Sequence, residues 1–69
     1  MNAQLAGMLY EALKLKFFDD AQDILCECEL DPMIVKVIEV YKKETLVVTM
    51  RMVEYPKRVK MIKNAIDNK

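Results

Sequence analysis

Apolar residues return along this chain every three or four positions, the spacing of one face of an α-helix. Over residues 3–18, Leu5, Leu9, Ala12 and Leu13 make one stripe, and Ala6, Tyr10, Leu13 and Phe17 make the next. Met8 and Leu15 widen the apolar arc beyond what a surface helix needs to cover a core. The pattern predicts a first helix that is central in its domain or covered on a second side by a partner. Gly7 lies inside it, at a cost of about 1 kcal/mol relative to alanine. Close approach of a neighbouring helix is the expected reason.

Asp19 and Asp20 follow Phe17-Phe18 and are placed to cap a second helix over residues 20–30. Ala21, Ile24, Leu25 and Cys28 form its buried face, while Asp23, Glu27 and Glu29 meet water. Asp31-Pro32 is the strongest local signal. Proline suits the first helical position, where its missing N–H is not needed, and the preceding Asp accepts a free amide hydrogen. From there Ile34, Ile38, Tyr41, Thr45, Val48, Met52 and Tyr55 keep helical spacing, and no Gly, Pro, Asn or Asp interrupts residues 33–54. The third helix is therefore expected over 32–54. Residues 45–53 also alternate as a strand does, and half of positions 45–54 are β-branched. Helix is the favoured reading, because no turn residue stands near Lys43-Glu44 and the chain offers no second strand. The alternative is an α+β fold in which 45–53 pairs with its own copy across a dimer. Tyr55-Pro56 ends the element. A last helix over 56–67 carries Val59, Ile62 and Ile66 inward, and residues 64–69 are expected to fray. The fold class is all-α, a small bundle of about four helices (3–18, 20–30, 32–54, 56–67) in one domain over residues 1–69.

Composition changes the picture in one respect. Hydrophobic residues make up 54% of only 69 positions, with one Gly and two Pro, which is globular rather than disordered. A chain this small has too little interior to hide that much apolar surface. Self-association is the expected outlet, with a dimer favoured. Charge is balanced overall but split along the chain. Residues 1–31 hold two basic and seven acidic side chains, and residues 32–69 hold nine basic and four acidic, so the halves carry −5 and +5. They can complement each other within one fold or across two chains.

The hairpin over residues 7–32 resembles a single tetratricopeptide repeat. Gly7 and Tyr10 match a small residue and an aromatic three apart in the first helix. Ala21, Leu25 and Cys28 match the small, large, small pattern of the second, and Leu30-Asp31-Pro32 matches the closing proline. The gap from Tyr10 to Ala21 is longer than the family's, Phe17-Phe18 stand where a small turn residue is usual, and nothing after Pro32 repeats the pattern. What the resemblance implies is a pair of antiparallel helices and protein–protein binding rather than chemistry.

The chain has no His and no Gly-rich loop, so no nucleophile–base pair and no phosphate cradle can be proposed. The expectation is a non-catalytic protein with no cofactor and no metal. Cys26 and Cys28, on one helix, point about 200° apart and cannot bridge each other; Cys28 reads as a small buried residue and Cys26 as half exposed. The acids Asp19, Asp20 and Asp23 lack the spacing of a calcium loop. No run approaches the ~18 apolar residues of a membrane span, and the start of the chain does not read as a secretory signal, so a cytoplasmic protein without a membrane partner is expected.

The leading functional expectation is a small adaptor or inhibitor that captures a partner helix, or itself, in an apolar groove between the first helix and residues 33–53. Leu9, Leu13, Ile38, Val48, Met50 and Met52 are the candidates for that surface or for the core beneath it. Met52→Asp is then expected to abolish binding, and charge reversal at Lys57 and Arg58 to leave it nearly intact. The alternative is a dimeric nucleic-acid-binding regulator that contacts phosphates through Lys57, Arg58, Lys60 and Lys63.

Overall fold

The computed structural model describes residues 2–67, which fold into five helices: α1 (Asn2–Lys14), α2 (Phe18–Glu27), α3 (Pro32–Val40), α4 (Lys42–Met50) and α5 (Pro56–Asp67). No strand occurs among the described residues, so the α+β alternative is set aside. α1 packs against both α2 and α3, α4 sits against α2, α3 and α5, and α5 closes over α3 and α4. Side chains from all five helices meet in one core, built around Leu9, Leu13, Leu25, Ile34, Ile38, Val48 and Ile62.

α1 stops four residues short of the expected end. Lys16 adopts a left-handed backbone with φ of 62°. This lets the Phe17 N–H donate to the Ala12 carbonyl at 2.8 Å and the Lys16 N–H to the Leu13 carbonyl at 3.3 Å. The pair of bonds closes the last turn in the manner usually built on glycine. α2 begins directly after it. Its capping residue is Phe17, with no side-chain cap, so Asp19 and Asp20 are not caps. They lie in the first turn, where negative charge still suits the amide end of the helix. α2 ends at Glu27, with Cys28 extended.

Asp31 caps α3 as the sequence indicates: its carboxylate accepts from the Ile34 N–H at 2.9 Å, and Pro32 is the first helical residue. The expected helix over 32–54 is two helices, bent at Tyr41 (φ −108°, ψ 53°). The reason is length. A straight helix of that span is roughly 35 Å long, whereas the fold measures 25 × 25 × 20 Å. One continuous stripe would run off the core. The bend returns α4 so that Thr45, Val48 and Met52 stay buried. Thr45 holds the corner: its hydroxyl donates to the Tyr41 carbonyl at 2.8 Å and lies 3.5 Å from the Ile38 carbonyl. Tyr41 also meets Tyr10 of α1 edge-on, with ring centroids 5.3 Å apart.

Burial through residues 45–52 follows the helical period, at Thr45, Val48, Thr49 and Met52, not the two-residue period of a strand. The β-branched threonines fit because their hydroxyls bond back to the preceding turn, Thr49 to the Leu46 carbonyl at 2.7 Å. α5 has the expected bounds. Residues 64–67, expected to fray, are helical, and Asn68 and Lys69 lie outside the described residues.

A candidate groove pair on either side of Gly7

The structure divides the six proposed interface residues sharply. Leu9, Leu13, Ile38, Val48 and Met52 are wholly buried in the core, and Met50 alone reaches the surface, 76% exposed. Periodicity finds the face a helix turns inward, so it selected core. Met52→Asp would put a charge into that core and unfold the protein, and it says nothing about binding.

The surface that remains apolar lies on the other side of α1. Gly7 is exposed, and a methyl group added there would meet nothing within 4 Å. The expectation of a helix packed closely on Gly7 is therefore incorrect within this chain. Instead a groove opens on each side of it. The α1/α2 groove, of about 710 Å³, has Gly7, Met8, Ala12, Phe17 and Ile24 as its apolar part, with Glu11, Asp20 and Asp23 at its edge. The α1/α3 groove, of about 430 Å³, runs along Ala3, Ala6, Gly7, Tyr10, Met33, Val37 and Val40, with Lys36 as its one charge. Met8, Phe17, Met33 and Val40 are all at least half exposed. Met33, Val37 and Val40 stand at helical spacing off the main stripe of α3. A second apolar stripe beside the first is the signal that would have found them.

The four basic candidates sit on α5. Lys57, Lys60 and Lys63 are exposed, and Arg58 is half buried. Among the described residues none of them makes an ion pair, and neither do Glu11, Asp20 and Asp23. The ion pairs among the described residues tie the first turn of α2 to the residue after α4, Asp19 to Arg51 at 2.6 Å, and the α1–α2 turn to α4, Lys16 to Glu44 at 3.6 Å. Both lie at the surface, with Glu44 half-buried, and contribute little, about 0–1 kcal/mol each. Both pairs join the N-terminal half of the chain to the C-terminal half.

Both cysteines are free, Cys28 buried and Cys26 half buried. Burial pushes both thiols up from their ordinary range; Asp23 adds to the rise at Cys26, and Arg58 opposes it at both. Protonated thiols of this kind are poor nucleophiles and poor metal ligands. Among the described residues no group of three or more His, Cys, Asp or Glu stands ready to hold a metal ion. The phenol of Tyr41 is also raised, chiefly by its hydrogen bond with Tyr10. No helix is long and apolar enough to cross a membrane among the described residues.

What the described residues offer at the candidate site is shape, apolar surface and charge. Compared with family models, curated proteins and solved structures, the chain matches none of them.

Proposed function

We propose that this is a non-catalytic protein-interaction module, an adaptor or inhibitor in the cytoplasm, that works by seating an amphipathic helix against α1. The observation that carries this reading is the pair of apolar grooves meeting at the exposed Gly7. A mid-helix glycine with open space around it weakens α1 by about 1 kcal/mol relative to alanine, and nothing in the chain's own packing requires it. An incoming backbone does: only a residue without Cβ lets two helices approach closely. The likeness of α1–α2 to one tetratricopeptide hairpin points the same way, since an isolated repeat of that kind has an uncovered face to fill.

The test is titration of isotope-labelled protein with amphipathic helical peptides, followed by amide shifts. Shifts gathered along α1, α2 and α3 at the grooves are expected. Met33→Glu should weaken binding at the α1/α3 groove by about tenfold or more, and Lys43→Glu on α4 should leave it unchanged. Failure of any helical peptide to shift the groove amides sinks the reading.

A second reading draws on the exposure of Lys57, Lys60 and Lys63: phosphate binding by α5, with affinity falling steeply as salt rises. A gel shift with duplex DNA or RNA at low salt, lost in Lys57→Glu/Lys60→Glu, would favour it over the groove.

A further inference from the structure

The two grooves differ in charge, and the difference selects an occupant. Every charged residue at the α1/α2 groove is acidic: Glu11, Asp20 and Asp23. A symmetric dimer through this groove would bring each acid toward its own copy, which is repulsive. The groove calls instead for a helix with an apolar knob flanked by cations.

The chain carries such a face on α5. Lys57, Lys60, Met61 and Asn64 are all exposed, and at about 100° per residue they share one face of the helix, roughly 100° wide. Met61 is 51% exposed, with Lys57 one turn before it and Lys60 adjacent. The buried face of α5, with Ile62 and Ile66, points away from this stripe. Neither these lysines nor the three acids have an ion-pair partner among the described residues.

From this complementarity, and resting on the interaction reading above, we infer that the α1/α2 groove receives α5 of a second copy of the chain. Met61 enters beside Gly7, and Lys57 and Lys60 face Glu11, Asp20 and Asp23. The methionine suits the role, because its unbranched thioether adapts to an irregular apolar slot. Each copy offers a groove and a helix, so two copies that engage reciprocally close as a two-fold dimer, and copies that engage one way only assemble head to tail.

The experiment is a mixture of two full-length preparations. One is isotope-labelled wild type. The other carries Lys63→Cys, an exposed position of α5 outside the docking face, with Cys26→Ser to leave Cys28 buried, and a nitroxide attached at position 63. Line broadening at the amides of Gly7, Met8 and Ile24 is expected. It should diminish as salt rises and vanish when the labelled chain carries Glu11→Lys/Asp23→Lys. Light scattering over a dilution series should show wild-type mass rising with concentration. Lys57→Glu/Lys60→Glu should stay monomeric, and Lys42→Glu/Lys43→Glu, with the same net charge, should behave as wild type.

Broadening at α5 itself, or anywhere away from the α1/α2 groove, overturns the inference. So does a wild type that is monomeric at every concentration. In that last case an unrelated leucine–lysine amphipathic peptide separates the two failures. If it binds the groove, only self-docking is lost; if it does not, the interaction reading falls as well.

Discussion

Leu9 and Met8 are neighbours on α1, and they belong to different surfaces. Leu9 is 0% exposed and sits among core side chains, whereas Met8 is 51% exposed beside the α1/α2 groove. The same contrast runs the length of the helix, with Ala6, Leu9 and Leu13 inward and Gly7, Met8 and Tyr10 outward. Both sides are apolar, and only one is closed. Hydrophobicity along the chain thus measures how much surface is to be covered and leaves open whether the chain itself covers it. The inner side is matched by helices of this molecule. The outer side meets Tyr41 at Tyr10 and stands open at Gly7 and Met8.

The sharpest way to break this contrast is to truncate both neighbours. Leu9→Ala should cost about 2–5 kcal/mol, the usual range for a buried leucine, and Met8→Ala should stay within about 0.5 kcal/mol, read as denaturant midpoints at constant slope. Similar losses at both positions would mean that the outer side is packed after all. Next in size is Thr45→Ala at the bend. Removing a buried hydroxyl that bonds the Tyr41 carbonyl should cost about 1–2 kcal/mol, and a value near zero would mean that Thr45 does not hold the corner. Gly7→Ala works in the opposite direction. With open space at the added methyl, it should stabilise the monomer by about 0.5–1 kcal/mol while weakening whatever docks there. A destabilised monomer would show that the groove is narrower than described.

The smallest effect is in pH. The folded state raises the Cys28 thiol by burial, so it keeps its proton where the unfolded chain has lost it. This contribution to stability is fully present below the unfolded thiol pKa, about 8.5, and is lost as pH rises above it. The fall in denaturation midpoint from neutral to alkaline pH should therefore be shallower in Cys28→Ala. Identical slopes in the two proteins would place Cys28 in water rather than in the core.

How much of this was legible in the sequence depended on whether the cause was local. The start of α3 was plain, because Asp31 and Pro32 carry the cap and the stop within two residues. The bounds of α5 were plain for the same reason at Pro56. The bend at Tyr41 was not, since every residue near it tolerates helix and what turns the chain is the size of the core and Tyr10 in another helix. The end of α1 was hidden by Lys16, a residue seldom found in a left-handed turn. Gly7 stands out in the sequence as the single glycine, yet the close neighbour it suggests is not there: a methyl group added to it would meet nothing within 4 Å. The proposed binding surface was the least legible part. Leu9, Leu13, Ile38, Val48 and Met52 were selected by periodicity, and periodicity rewards burial.

The unequal corners of this fold also determine how it answers a change of solvent. Alcohol co-solvents loosen tertiary packing while strengthening local helix. At Asp31-Pro32 that exchange alters little, because a proline inside a continuous helix costs about 3 kcal/mol and breaks or kinks it. At Tyr41 the corner is held by a ring contact and one threonine hydroxyl. As the core loosens, α3 and α4 are expected to join into a single rod, read as a gain of far-UV helix signal while the near-UV signal of packed tyrosines is lost.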